Sequence, residues 1–442
     1  MPTTSVQLPD LLSVGRPYEL RTNRHCRTVT SASEAYFHAL PFSILNDAEK
    51  EQIGQMKFGL WASVCFPTCD PPQLRLATDF LTALMICNAR FGDARITTMR
   101  ECGWRDSHPE VFLDEKDSGF SCLAQHDLFR PLMPQLTRAM PSDSSRSRFC
   151  VSAEAYHTYQ EHILAHRRAN TLPSLSAYLD LRRGFSGVLM VLDLLEMVEG
   201  LQISPNLNEM KLAVANILAL SMDIFAYNND QFIGNAFNIV SILRAHEGVA
   251  VQGAINRAYA LIELASRNFV AEEERYTKRH ATSPSSSPTA WVWNPLGGKG
   301  DGVAARNTDK EKGNEGKARD SQLYMQGLKD CIVGTLNWSY ETELFFGSKG
   351  DEIRQFGSFI RVASPPSSSY CLSSFLCLFL RYLRPHPRYP RSTYNHTPPS
   401  FSMDAFASII SYFVVEQVED GPELPTVDGD KATGSSGSCI VA

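Results

Sequence analysis

Met210-Lys211-Leu212-Ala213-Val214-Ala215-Asn216-Ile217-Leu218-Ala219-Leu220-Ser221-Met222-Asp223-Ile224-Phe225-Ala226-Tyr227 decides the fold. Its apolar residues cover nearly every direction around a helix, so the helix must lie inside a bundle rather than on a surface. Working outward, Leu189, Leu192, Leu195, Val198 and Leu201 recur at helical spacing over 188–201. On the other side, Phe237 to His246 and Ala254 to Phe269 continue the pattern. Upstream, Leu76, Phe80, Ala83, Leu84 and Cys87 mark a helix from Leu74 to just beyond Ile86, and Gln322 to Phe346 reads as a final long one. Period-two alternation is scarce, and no Asn-Gly hairpin joins β-branched runs. The expected class is all-α, a single large helical bundle with flexible insertions.

Composition narrows the function. The 442 residues carry 42 Lys+Arg against 48 Asp+Glu, a net charge of −6, which disfavours a phosphate-backbone binder and predicts no nucleic-acid partner. Eleven cysteines occur without a CxxC, and Cys65 with Cys69 has no matching second pair, so a four-ligand zinc site is not expected. They read as buried thiols of a reducing compartment, giving a cytoplasmic expectation. Met1 to Ser5 lack a basic, then apolar, signal pattern. No apolar run is read as approaching the roughly 20 residues of a membrane span; the longest candidate is Ser374 to Leu380.

The bundle is expected over 1–363. Within it, Thr282 to Ser321 is rich in Ser, Pro, Gly and Lys and reads as a flexible insertion. Residues 364–401 are irregular, Ser/Pro/Tyr-rich and basic, and either segment could be an insertion or translated non-coding sequence. A candidate terminal helix follows over 402–420, then an acidic Gly/Ser-rich tail over 421–442 that reads as disordered. The ending Cys439-Ile440-Val441-Ala442 fits C-a-a-X, so prenylation of Cys439 would supply a weak lipid anchor.

Several blocks, in this order, resemble the fungal class I sesquiterpene synthases of the basidiomycete type. They are Leu8-Pro9-Asp10-Leu11-Leu12-Ser13; Leu172-Pro173-Ser174-Leu175 with Tyr178-Leu179-Asp180-Leu181-Arg182-Arg183-Gly184-Phe185-Ser186-Gly187; Asp223 to Gln231; Asn238-Ile239-Val240; and Asn337-Trp338-Ser339-Tyr340-Glu341-Thr342-Glu343. The resemblance implies a class I terpenoid synthase bundle binding a prenyl diphosphate, farnesyl diphosphate in particular, with Mg²⁺. In that family the metal cluster neutralises the leaving diphosphate, and the allyl cation cyclises against an apolar wall.

Matched to the family, the ligand positions depart from that chemistry. The aspartate-rich motif falls on Asn88-Ala89-Arg90-Phe91-Gly92, leaving Asn88 and the displaced Asp93 as candidate metal ligands, with Arg90 expected to bring positive charge to the metal site. The second motif places Met222, Ala226 and Asp230 where Asn, Ser and Glu belong, and only Asp230 keeps a hard oxygen. Asp223 sits beside the ligands. Arg183 matches the diphosphate-sensing arginine, Ser186 and Gly187 the helix break behind it, and Leu344-Phe345 replaces an Arg-Tyr pair. Two alternatives to a working cyclase stay open: a pseudoenzyme that binds prenyl diphosphate or another partner without turnover, and an isoprenoid enzyme not using Mg²⁺-driven ionisation. The aromatics Phe225, Tyr227, Phe232 and Phe237 read equally as a carbocation wall or as bundle packing. His157, His162, His166 and the acidic run Asp114 to Asp117 read as solvated polar surface.

Overall fold

In the computed structural model, residues 4–105, 122–203, 207–281, 303–356 and 359–362 are described. A short strand β1 (Thr4–Gln7) precedes helices α1 (Cys26–His38), α2 (Asp47–Met56), α3 (Phe58–Cys65), α4 (Pro71–Gly92) and α5 (Met99–Cys102). After these come α6 (Met133–Ala139), α7 (Asp143–Ala169), α8 (Leu175–Phe185), α9 (Val188–Val198) and α10 (Asn208–Ile233). The chain continues through α11 (Ile239–Glu247), α12 (Val251–Ala281), α13 (Val303–Glu341), α14 (Glu343–Phe346) and α15 (Gly350–Phe356) to β2 (Phe359–Val362). The two strands pair antiparallel, Thr4 opposite Val362 and Gln7 opposite Phe359. The class is all-α as expected, with this ribbon tying the N-terminal segment to the end of the bundle.

Local chemistry sets the helix ends. Pro71 and Pro72 open α4, where an amide donor would go unused. Asn46 and Glu49 form a reciprocal capping box on α2. Ser174 and Asn238 cap α8 and α11 through their side-chain oxygens.

Helix α10 is the axis, packed against α8, α9, α11, α12, α13 and α14. It corrects one expectation: by length and composition this 26-residue helix could cross a membrane, but its apolar stretch is mostly buried inside the protein. Its apolar surface is therefore spent on the bundle. On one side, Trp61 of α3 stacks on Trp338 of α13 at 4.5 Å and donates to Thr335 Oγ1 at 2.9 Å. Each such fully buried aromatic stabilises by about 1.5–3 kcal/mol.

One further reading changes. The segment 282–321 is helical from Val303 onward, as the start of α13; its earlier part lies outside the described residues. Residues 364–442, with the Cys439 ending, and the run Asp114 to Asp117 also lie outside them.

Between α8 and α9 the chain breaks at Gly187, whose φ is 74°. A β-carbon there would stand 2.4 Å from Leu84 Cδ1. Left-handed backbone and close contact with α4 together require glycine. The break turns Ser186 toward the interior, at the edge of the cavity described next.

Candidate functional site

The break, the C-terminal halves of α4 and α10 and the short α14 enclose a cavity of about 190 Å³. That is below the roughly 300–1,000 Å³ of ordinary small-molecule pockets. Its wall is largely apolar, with Met56, Met85, Phe91, Phe185, Phe237 and Phe345. Of the four aromatics singled out in sequence, only Phe237 lines it. Phe225 is fully buried against Tyr340 and Phe345, Tyr227 is buried beside Arg244, and Phe232 is exposed.

Eight of the cavity's 20 lining residues are polar or charged. Asn88 lines the cavity with both amide atoms engaged: Nδ2 donates to the Ser186 carbonyl at 2.9 Å, and Oδ1 accepts from Tyr156 Oη at 3.0 Å. Met222, Ala226 and Asp230 all face the same space, one turn apart on α10, as their spacing requires. Both carboxylate oxygens of Asp230 are held, by Asn235 Nδ2 at 3.0 Å and Asn238 Nδ2 at 2.7 Å. Burial pushes its carboxyl up to about 7, against the pull of those two amides. Asp223 accepts from Tyr178 Oη at 2.6 Å and from the Ile239 amide at 3.0 Å. Burial likewise raises its carboxyl, opposed chiefly by Arg182.

Three expected placements differ. Asp93 caps the end of α4 and pairs with Arg95 at 2.7 Å, outside the cavity lining. Arg90 does not enter the expected metal site: it turns back to α2 and grips Glu49 at 2.6 Å. Arg183 bonds Asn216 Oδ1 at 3.1 Å and pairs with Asp180, while its neighbour Arg182 takes the cavity wall. Adjacent helical residues point about 100° apart, so only one of the pair can face inward. Asp223 selects Arg182, whose Nε lies 2.7 Å from Asp223 Oδ1, an ion pair without hydrogen-bond alignment. The Arg182 guanidinium also stacks over Phe185 at 4.9 Å.

A second cavity arginine had no motif to announce it. Arg167, in the last turn of α7, donates through Nη1 to the carbonyls of Phe91, Asp93 and Ile96 at 2.7, 3.2 and 3.3 Å. It thereby closes the C-terminal end of α4, whose orphan carbonyls and dipole attract a cation. Its ring contacts are Phe91 at 4.8 Å and Phe237 at 5.5 Å. The only signal in sequence was the basic pair Arg167-Arg168 ending a helix.

These residues do not fit the Mg²⁺ cluster that the resemblance implies. Mg²⁺ needs near-octahedral oxygen donors. Two of the three positions on α10 are Met222 and Ala226, which offer none; Asn88 and Asp230 are committed to protein partners, and Arg167 occupies the end of α4. No group of three or more His, Cys, Asp or Glu suited to a metal occurs among the described residues.

Residues 110–267 match the family profile described as Terpene synthase family 2, C-terminal metal binding. Sesquiterpene synthase Agr1 of Cyclocybe aegerita is 27% identical over 357 residues, covering 78% of this chain and 90% of its own length. Sesquiterpene synthase 3 of Postia placenta is 24% identical over 364 residues, covering 79% and 86%. Among solved structures, germacradien-4-ol synthase from Streptomyces citricolor superposes with a TM-score of 0.52 at 16% identity, covering 76% of this chain and 98% of that one. The bundle is thus of the terpene synthase type, and the chain is a distant homologue of basidiomycete sesquiterpene synthases.

Proposed function

We propose that the chain is a terpene-synthase-type protein whose cavity, widening beyond its about 190 Å³ on binding, takes a prenyl diphosphate of the farnesyl length that the sesquiterpene synthase relatives indicate. The observation that carries this is the juxtaposition of a buried arginine, Arg182, with an aromatic and aliphatic wall at a glycine helix break. The guanidinium suits a phosphoryl head. Phe91, Phe185, Phe237 and Phe345 suit a hydrocarbon tail and would favour positive charge developing on it. Ser186 and Gly187 position the break, while Asp223 orients Arg182. Arg183 acts from the outer side of α8 as part of the α8–α10 contact through Asn216.

A second reading has its own observation. Of the three matched ligand positions on α10 only Asp230 keeps an oxygen, which favours binding without turnover over the relatives' chemistry. One experiment separates the two. Purified full-length protein is incubated with farnesyl diphosphate, with Mg²⁺ and with EDTA, while products are followed by gas chromatography and binding by calorimetry. Cyclic or linear sesquiterpene products support a synthase; saturable binding with no product supports the pseudoenzyme. Absence of both binding and product sinks the prenyl diphosphate reading.

A further inference from the structure

The cavity is better supplied with anion donors than with metal ligands. We propose that Arg182, with Arg167 as a fixed charge beside it, forms a metal-independent oxyanion site, gripping the phosphoryl head of the ligand through the open donors of Arg182 and the field of Arg167. The proposal rests on the prenyl diphosphate reading above and adds that divalent metal is dispensable for the grip.

Three observations lead there. The first is unused donor capacity. Arg182 spends its Nε edge on Asp223 and its face on Phe185, and among the described residues neither terminal nitrogen has a hydrogen-bond acceptor. Its side chain is only 13% exposed and lines the cavity. Only Nε is both fully buried and without a hydrogen-bond partner, so the terminal nitrogens stay open to an acceptor that enters the cavity. A phosphoryl group accepts two parallel N–H bonds from such a fork.

The second is the place of Arg167. Its guanidinium is fixed by three carbonyls on Nη1 at the end of α4, beside the Asn88 to Gly92 register, and by Asn235 Oδ1 at 3.5 Å on Nη2. A divalent cation arriving there would meet a like charge in a poorly solvated space. An anion would meet a charge already immobilised, with little side-chain entropy left to lose.

The third is how the two acids are occupied. Asp223 spreads its charge over Tyr178, the Ile239 amide and Arg182, and Asp230 is held by two side-chain amides. Every carboxylate oxygen of the two acids thus already has a protein partner, which an arriving cation would have to share or displace. The backing of Arg182 by Asp223 orients the fork without consuming its terminal nitrogens.

The test is calorimetric titration of the full chain with inorganic pyrophosphate, first in EDTA and then with excess Mg²⁺. The expected result is saturable binding in EDTA, within about threefold of that with Mg²⁺. Arg182→Lys keeps the charge beside Asp223 but loses the fork, and weakens binding by about tenfold or more, as loss of a charge-assisted bidentate pair predicts. Arg167→Gln weakens it several-fold. Because an unpaired Asp223 could unfold the bundle, the double variant Arg182→Gln/Asp223→Asn removes both charges; with its far-UV circular dichroism intact, it also loses pyrophosphate. Binding that emerges only with Mg²⁺, or that survives in both Arg182 variants, overturns the proposal while the prenyl diphosphate reading stands. Failure of pyrophosphate and of farnesyl diphosphate to bind under either condition overturns both.

Discussion

Asp230 shows how one residue can keep its charge type and change its work. Matched to a metal ligand in sequence, it is instead the hub of an amide clamp, with its carboxyl pushed up to about 7 by burial. The folded chain therefore holds a proton on Asp230 across a range where the unfolded chain has released it. The resulting contribution to stability is full at low pH and fades as pH rises from about 4 to about 7, by about 4 kcal/mol at most. His126 works the opposite way. It is buried, donating from Nε2 to the Cys102 carbonyl and accepting the Leu128 amide on Nδ1, and burial lowers it to about 4. Its contribution is lost as pH falls from about 6.5 to about 4. Bulk pH–stability data would blend the two, so Asp230→Asn is the informative comparison. The excess stability of wild type over this variant, from urea denaturation, should shrink steadily between about pH 4.5 and about pH 7.5. A constant difference would mean that Asp230 titrates as an ordinary carboxylate. None of this was legible from the motif, because the two asparagines that clamp the acid lie beyond the helix that carries it. The arginine register failed for a similar reason: Arg182 and Arg183 are equivalent as letters, and only the position of Asp223 on a neighbouring helix decides which turns inward.

Among elements, the α8–α9 break is where local sequence and cavity meet. Gly187 combines φ of 74° with a 2.4 Å approach to Leu84, and the adjacent Ser186 carbonyl receives Asn88 from α4. Gly187→Ala must either strain the backbone or push α4 away. The expected cost is about 1–3 kcal/mol, read as a lower urea midpoint, with pyrophosphate affinity falling as Ser186 and Arg182 shift. An unchanged midpoint would show that the break tolerates a side chain. Most helices were readable because they carry an apolar stripe, and the central one because it is apolar all round. Helix ends were less so: Leu74–Ile86 extends to Pro71–Gly92, and Ala254–Phe269 to Val251–Ala281. The start of α13 was hidden for a physical reason. From Val303 to Asp320 its residues are mainly charged or small, with no apolar face, so periodicity begins only near Leu323.

Across the whole bundle, α9 and α10 join two polar centres of opposite character. One is the cavity, with its incompletely used guanidinium. The other lies toward the opposite end of α10, where Lys211 pairs with Asp193 and Arg148 with Glu196, joined by Ser152 and Ser145. About 18 Å of helix separates Lys211 from Asp223. Asp193 and Glu196 are 2% and 1% exposed, yet every charge there has a partner, so this centre serves the registry of α7, α9 and α10 rather than a ligand. Breaking one buried pair leaves its other charge stranded, at a cost of about 3–5 kcal/mol, whereas replacing both members by apolar residues is often close to neutral. Lys211→Met should accordingly lower stability steeply in urea, and the double variant Lys211→Met/Asp193→Leu should recover most of the loss. Under conditions where each variant is folded, pyrophosphate should bind as it does to wild type. If Lys211→Met weakens that binding in proportion to stability, the two centres are coupled through α10 and the division of labour along the bundle fails.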